Sequence, residues 1–292
     1  MIDYTRLYAP TTIREIKAKY GFSLSKSLGQ NFLIDKNIID KIIDGVGITE
    51  NDLVIEIGPG IGVITREAAL KAKKVIAVEL DSRLLEILDE TLKEFDNVDV
   101  INENILDVDL NGIIEQQRGI IDFASIKIIG NLPYYITTPI IMKLLEDRVN
   151  VDSITVMMQK EVADRIRATE KDKDRGAISV AVQYYCDVIK VADVKRDVFV
   201  PPPKVDSQVL RLDVKKKNEI YVADEELMFR VIKAGFLQRR KTLLNSLSAG
   251  LSIEKGEVEN ILQACGIDVT RRAQTLSLEE FAKIANEIGQ RI

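Results

Sequence analysis

Histidine is absent from the 292 residues, and cysteine occurs only twice. Chemistry that needs an imidazole, as general base or as metal ligand, is therefore excluded. Cys186 and Cys265 stand far apart with no CxxC spacing. That rules against a zinc knuckle or a disulfide framework and suits a reducing cytoplasm. No apolar run approaches the roughly 20 residues that cross a bilayer, and the first residues (Met1-Ile2-Asp3-Tyr4-Thr5-Arg6) contain no basic stretch leading into an apolar one. Internal repeats and low-complexity tracts are missing too. What remains is 46% hydrophobic and 30% charged, a globular composition long enough for one large domain and a smaller one.

The net charge of −5 speaks against a polyanionic partner only until its distribution is examined. From Val214 onward the chain holds 13 Lys/Arg against 11 Asp/Glu, whereas the remainder holds 28 against 35. Between Leu227 and Ile253 lie five cations, Arg230, Lys233, Arg239, Arg240 and Lys241, and no acid. Such a stretch is either a phosphate-binding face or a helix whose cations are merely solvated.

Short β-branched runs alternate with helical patterns through the middle of the chain, the signature of a parallel α/β sheet. Strands are expected at Leu53–Ile57, Lys74–Glu79, Val98–Asn102, Ile126–Gly130 and Ser153–Gln159, with helices such as Thr65–Lys71 and Ser82–Phe95 between them. Ala177–Val188 and Ser207–Val214 read as two further strands. The charge run Arg167–Arg175 reads as a solvated loop. Beyond Lys215-Lys216-Lys217 four helical patterns follow, Glu225–Leu237, Arg240–Ala249, Lys255–Cys265 and Ser277–Ile288. Ser277 is placed as an N-cap, with Glu280 completing a capping box. The expected domains are 1–213, α/β with an N-terminal helical extension, and 214–292, all helical.

Val54-Ile55-Glu56-Ile57-Gly58-Pro59-Gly60-Ile61-Gly62 is a buried strand running into a glycine turn that opens a helix. Glu79, 21 residues after Gly58, ends the next strand and is placed to accept from ribose hydroxyls. The spacing is G-x-G-x-G, with Val63 where a dinucleotide fingerprint has its third glycine. Glu56 would repel a pyrophosphate but suits a sulfonium and an amino-acid group. The pattern therefore favours S-adenosylmethionine over a nicotinamide cofactor. Asn102-Glu103-Asn104-Ile105 ends the third strand, within reach of an adenine amino group. Gln30 and Asn31 are possible contacts to the cofactor carboxylate, while Asp35 is equally well a helix N-cap.

Ile129-Gly130-Asn131-Leu132-Pro133-Tyr134-Tyr135 sets an amide, a rigid turn and an aromatic ring directly after a buried strand. A nucleobase amino group is a poor nucleophile because its lone pair is delocalised into the ring. A site that alkylates it needs acceptors for two N–H groups and an aromatic face to hold the base. Asn131 Oδ1, a backbone carbonyl of Leu132 or Pro133, and the Tyr134 ring supply both.

Together, LGQNFL (Leu28–Leu33), EIGPGIGVIT (Glu56–Thr65), VIAVELD (Val75–Asp81), IGNLPYYITTPI (Ile129–Ile140), MMQKEVADRI (Met157–Ile166), FVPPPKVDSQVLRL (Phe199–Leu212) and FLQRRKTLLNSL (Phe236–Leu247) resemble the ribosomal RNA small-subunit adenine N6-dimethyltransferases over nearly the whole chain. The resemblance implies a Rossmann-like SAM-dependent methyltransferase sheet with a small all-α C-terminal domain. It implies transfer of two methyls to each of two adjacent adenosines near the 3′ end of small-subunit rRNA, within a pre-30S particle, by a monomer. By matching position, Asn31 and Leu33 would touch the methionine end of the cofactor, and Gly58 and Gly60 would form its turn. Glu79 would hold the ribose, Leu80, Asn104 and Ile105 would border the adenine, and Asn131 would touch the cofactor where it joins the target. Asn104 stands where the family often has Asp. Phe199 would stack on the target base opposite Tyr134. Lys204, the cations from Arg230 to Lys241, and Arg271-Arg272 would contact rRNA phosphates, and no metal is implied.

Three other readings stay open on sequence. One is a resistance-type methyltransferase of large-subunit rRNA, from which PPPKVDS and the longer helical tail point away. Another is an assembly factor that uses the fold to bind, and a distant third is a nicotinamide dehydrogenase.

Overall fold

The computed structural model describes residues 2–22 and 29–291. Leu28, first residue of the LGQNFL motif, lies outside them. In chain order the elements begin with α1 (Pro10–Tyr20), β1 (Phe32–Leu33), α2 (Lys36–Val46), β2 (Asp52–Ile57), α3 (Val63–Ala69), β3 (Lys74–Glu79) and α4 (Leu85–Leu92). There follow β4 (Val98–Asn102), α5 (Leu110–Arg118), β5 (Ser125–Asn131), α6 (Thr137–Glu146), β6 (Ser153–Gln159), α7 (Lys160–Arg167) and α8 (Ala177–Tyr185). The last are β7 (Cys186–Val194), β8 (Phe199–Val200), β9 (Ser207–Val214), α9 (Glu225–Phe236), α10 (Leu243–Leu251), α11 (Lys255–Ala264) and α12 (Leu278–Arg291).

Two compact units result. The first joins Met1–Ala163 to Asp187–Val214, and the second joins Asp164–Cys186 to Lys215–Ile292. The sequence reading divided the chain once, near 214. The structure divides it there and also around the stretch 164–186, which packs with the C-terminal helices.

In the first unit a sheet of order β4-β3-β2-β5-β6-β9-β7 is parallel from β4 to β6, and β9 runs antiparallel to β6. Every residue of β2 is buried, as its almost unbroken apolar run requires of a strand covered on both faces. Helix α2 shows how local rules serve this packing. Asp35 caps it by accepting from the backbone N–H of Asn37 and Ile38, and Gly47 ends it in the left-handed region at φ 65°. Its buried Ile38, Ile39, Ile42, Ile43 and Val46 follow helical spacing on one face. A separate ribbon pairs β1 with β8, antiparallel, with Phe32 opposite Val200 and Leu33 opposite Phe199.

The second unit is helical. Its core is built from α9 to α12, through residues such as Met228, Val231, Leu247, Leu262 and Phe281, and Val180 and Tyr184 of α8 belong to it. The capping box of α12 is present: Ser277 N–H donates to Glu280, and Glu280 N–H donates to Ser277 Oγ.

Three local expectations are corrected. Ala177–Tyr185 is a helix, and the strand starts only at Cys186. Ser179, Val180, Ala181, Val182 and Tyr184 of that helix are all buried, so no polar face reveals its 3.6-residue period. Helix α10 starts at Leu243 rather than Arg240, leaving Arg239-Arg240-Lys241 in the preceding turn. The charge run ends in a buried residue: Arg175 is 1% exposed, and its Nη1 donates to the carbonyls of Gln274 and Leu276.

Candidate active site

One cavity of the first unit opens at the C-terminal ends of β2, β3 and β5, where an open parallel sheet presents its ligands. The turn after β2 takes positive φ at Gly58 (70°) and Gly60 (63°), a region that side chains disfavour. A Cβ on Gly58 would meet no atom within 4 Å, whereas one on Gly60 would press on the Phe32 ring at 3.1 Å. The turn is thus open around Gly58 and packed against Phe32 at Gly60.

Two carboxylates line this end. Glu79 is buried, with Oε2 accepting from Gly60 N–H at 3.1 Å and Oε1 accepting from Asp81 N–H at 2.8 Å. Each oxygen keeps acceptor capacity for a further donor, and burial raises the Glu79 carboxyl above its ordinary pKa. Glu56 is 1% exposed, and burial, with the nearby Glu79 charge adding to it, pushes its pKa up to about 8. Its Oε2 has no hydrogen-bond partner among the described residues. A ligand that is cationic and carries hydroxyl donors would favour the ionised form of these carboxyls and use the acceptors left open in the recess. S-adenosylmethionine has a sulfonium, an ammonium and a ribose diol, and the residues fit it. A pyrophosphate would meet two buried acids.

Leu80, 51% exposed, and the buried Ile105 border the same cavity and present apolar surface to a flat ring. Asn104 is engaged locally: its Oδ1 accepts from Leu106 N–H at 3.2 Å and its Nδ2 donates to Asp107 at 2.8 Å. One lone pair of Oδ1 remains for a ligand. Across the cavity, Gln30 donates to Asp81 Oδ2 at 2.9 Å, so its amide nitrogen anchors the N-terminal segment. Asn31 folds back, its Nδ2 donating to Gly29 O at 2.9 Å, and Leu33 is held in the β1–β8 ribbon.

The Asn131–Tyr134 turn is tethered at three points. Asn131 Nδ2 donates to Asn31 O at 3.2 Å, and that bond orients the amide; Oδ1 has no protein donor among the described residues. The Pro133 carbonyl accepts from Ile136 N–H at 3.1 Å and from Thr137 Oγ1 at 3.0 Å, which occupies both its lone pairs. No described donor reaches the Leu132 carbonyl. The Tyr134 hydroxyl meets Ser207 Oγ at 2.6 Å, and burial raises the phenol pKa despite that bond. Phe199 is only 3% exposed, part of the main core yet touching the cavity.

The basic residues are arranged less uniformly than the sequence suggests. Lys204 is exposed on the loop before β9. In the second unit Arg230, Lys233, Arg239, Arg240, Lys241 and Arg272 are exposed, and Arg239 also donates to Lys173 O at 2.8 Å. Arg271 is committed elsewhere, to the Glu280 carboxylate and the Thr275 carbonyl. It holds the start of α12, so the pair Arg271-Arg272 divides into one structural and one surface cation.

Sequence reasoning missed Thr137, Ser207 and the carbonyl of Asn31. Thr137 carries a readable signal, four residues after Pro133 at a helix start. Ser207 carries none beyond its place in the PPPKVDS segment. No group of three or more metal-ligating residues occurs among the described residues, and no helix there is long and apolar enough to cross a membrane.

Comparison with known proteins gives the family. The family model described as "Ribosomal RNA adenine dimethylase" matches residues 21–290. A protein of Clostridioides difficile called "Ribosomal RNA small subunit methyltransferase A" is 49% identical over 287 residues, covering 98% of both chains. The crystal structure of a dimethyladenosine transferase from Plasmodium falciparum superposes with a TM-score of 0.72 at 26% identity, covering 89% of this chain and 98% of that one. The structure of the 23S rRNA methyltransferase ErmE gives 0.66 at 25% identity, over 89% of this chain and all of the other. With nearly its whole length matched, the chain belongs to the ribosomal RNA adenine dimethylase family.

Proposed function

We propose that this chain dimethylates N6 of two adjacent adenosines near the 3′ end of small-subunit rRNA, using S-adenosylmethionine. The observation that carries the reading is the pair of unclaimed acceptors, Asn131 Oδ1 and the Leu132 carbonyl, beside an acidic cofactor recess. Bound S-adenosylmethionine supplies an electrophilic methyl on a sulfonium. Glu79 would hold its ribose hydroxyls, Gly58 and Gly60 would let the backbone approach closely, and Leu80, Asn104 and Ile105 would enclose the adenine. Asn31 and Leu33 close the methionine end.

On the other side, Tyr134 and Phe199 hold the flipped target base. Asn131 Oδ1 and Leu132 O would accept its two N6 hydrogens in the first transfer and the one that remains in the second, drawing the nitrogen toward tetrahedral geometry with its lone pair turned to the cofactor side. Pro133 O is excluded from this role because Ile136 and Thr137 already use it. No side-chain base is required, since the methylated nitrogen is strongly acidic and water removes its proton. The chain accelerates the reaction by positioning and by fixed dipoles.

Lys204, Arg230, Lys233, Arg239, Arg240, Lys241 and Arg272 contact phosphates, which makes binding salt-dependent. The setting is a pre-30S particle in the cytoplasm, and the chain acts as a monomer. The large-subunit alternative is disfavoured by the 49% identity to a protein named for the small subunit, against 25% to ErmE.

The test is incubation with labelled S-adenosylmethionine and undermethylated 30S or 50S subunits, followed by mass mapping of the rRNA. Dimethyladenosine at two adjacent small-subunit positions is expected. Label confined to the large subunit would overturn the reading.

A further inference from the structure

A ring that only stacks on a base needs no hydroxyl; phenylalanine would serve and would bury without a polar partner. Here the half-buried Tyr134 nevertheless sets its hydroxyl against a buried one, Ser207 Oγ, at 2.6 Å. Ser207 is 0% exposed, and Tyr134 is its side-chain partner among the described residues. Pairing the two hydroxyls gains little net stability over an apolar contact, but it gains direction. The neighbouring Tyr135 is 61% exposed and has no such tether among the described residues.

The tether has a rigid base. Ser207 opens β9 and is in register with Gln159, the last residue of β6. Asn131 closes β5 and is in register with Met157 of the same β6. The amide that grips N6 and the hydroxyl that holds the ring are thus fixed to strands two spacings apart, about 10 Å. The sheet, rather than the turn, sets the gap between acceptor and aromatic face. The bond lies at the far end of the ring, where it opposes rotation about the Cα–Cβ bond with the longest lever and so fixes where the ring sits.

We propose that Ser207 is a positioning residue for methyl transfer, acting through the Tyr134 hydroxyl to hold that ring at a fixed distance from Asn131. The proposal rests on the functional reading above. Ser207 does not touch the reacting atoms; it sets where the base lies when its N6 meets the two acceptors. Misplacement of this order is costly, because reactivity falls steeply with errors of an ångström.

The experiment is a double-mutant cycle of Ser207→Ala and Tyr134→Phe, assayed on undermethylated 30S subunits under single turnover. Thermal unfolding and S-adenosylmethionine affinity of each variant are measured alongside. Each single change is expected to slow transfer about tenfold, with the double variant no slower than either, because both remove one bond. Cofactor affinity should stay within about twofold throughout. As a readout independent of turnover, 2-aminopurine at the target position should be less quenched by both variants than by the parent chain. Multiplicative losses, near a hundredfold together, or rates equal to the parent, would overturn the inference. Parent-level activity in the variants leaves the functional reading intact, whereas a parent chain that leaves small-subunit rRNA unmodified sinks that reading itself.

Discussion

The two ends of β2 and β5 treat polar groups in opposite ways. At the N-terminal end Asp52 is 2% exposed, yet every donor it needs is at hand. Lys127 Nζ lies 2.6 Å away, Ser125 Oγ 2.6 Å and Thr49 N–H 2.6 Å, and Lys127 also donates to the Gly47 carbonyl. Burial alone would raise the Asp52 carboxyl, but the Lys127 ammonium and the Ser125 hydroxyl hold it below its usual range. At the C-terminal end Glu56, Asn131 and the Leu132 carbonyl keep acceptors without described donors. The same strands close one end with a completed network and leave the other incomplete. A buried polar group that is fully partnered is part of the scaffold, and one that is not marks where a ligand completes the protein.

The sharpest break in this contrast is Asn131→Ala. It should lower transfer by at least about 10³-fold while S-adenosylmethionine binding, followed by equilibrium dialysis, shifts by less than about threefold. Retained activity would remove Asn131 from the site. The opposite end should show the opposite phenotype. Lys127→Ala strands a buried Asp52 and should cost about 3 kcal/mol in urea unfolding, with single-turnover rate unchanged at a temperature where the variant is folded. Loss of rate without loss of stability would erase the division of labour.

Glu56→Gln gives a smaller, pH-dependent effect. The folded carboxyl is raised to about 8 from an unfolded value near its ordinary 4.5, so the folded state keeps its proton longer. Its favourable contribution is complete below the unfolded value and drains away as pH rises toward 8. Glutamine cannot ionise, so the variant's Tm should gain on the parent by several degrees between pH 5 and 8 in the absence of cofactor. Parallel Tm profiles would show that Glu56 stays ionised. The smallest effect belongs to the surface cations. Arg240→Ala and Lys241→Ala should each weaken rRNA binding a few-fold and reduce the log–log salt slope by about one, with Tm unchanged. Arg271→Ala should instead lower Tm, since it removes the partner of Glu280.

The cofactor end was readable because its parts are close in sequence or lie at strand ends. Gly58, Gly60 and Glu79 belong to neighbouring βα units, and Glu79 reaches Gly60 across 19 residues. The strand runs Lys74–Glu79, Val98–Asn102 and Ser153–Gln159 appear as expected because they are dense in β-branched residues. The target end was readable in its types but not its wiring. Asn131 and Tyr134 stand out, yet the bonds that aim them span 100 and 73 residues, which no local pattern encodes. Helix α8 was hidden for a related reason: a helix with no exposed residue has no clear polar face to display. Arg175 looked solvated within its charge run because its acceptors, two backbone carbonyls, lie about a hundred positions later.

That last distance matters for the order in which the protein is made. The helical unit is assembled from two stretches of chain, Asp164–Cys186 and Lys215–Ile292, separated by a strand-forming segment that belongs to the other unit. Synthesis proceeds from the N-terminus, so Val180, Tyr184 and the Arg175 guanidinium leave the ribosome before any of the helices that bury them exist. The α/β unit receives its last strand, Ser207–Val214, while this early helix still waits with its apolar surface uncovered. The nascent chain therefore passes through an interval in which the catalytic half is complete and the helical half is an exposed fragment, a window for chaperone capture that closes only with Leu278–Arg291.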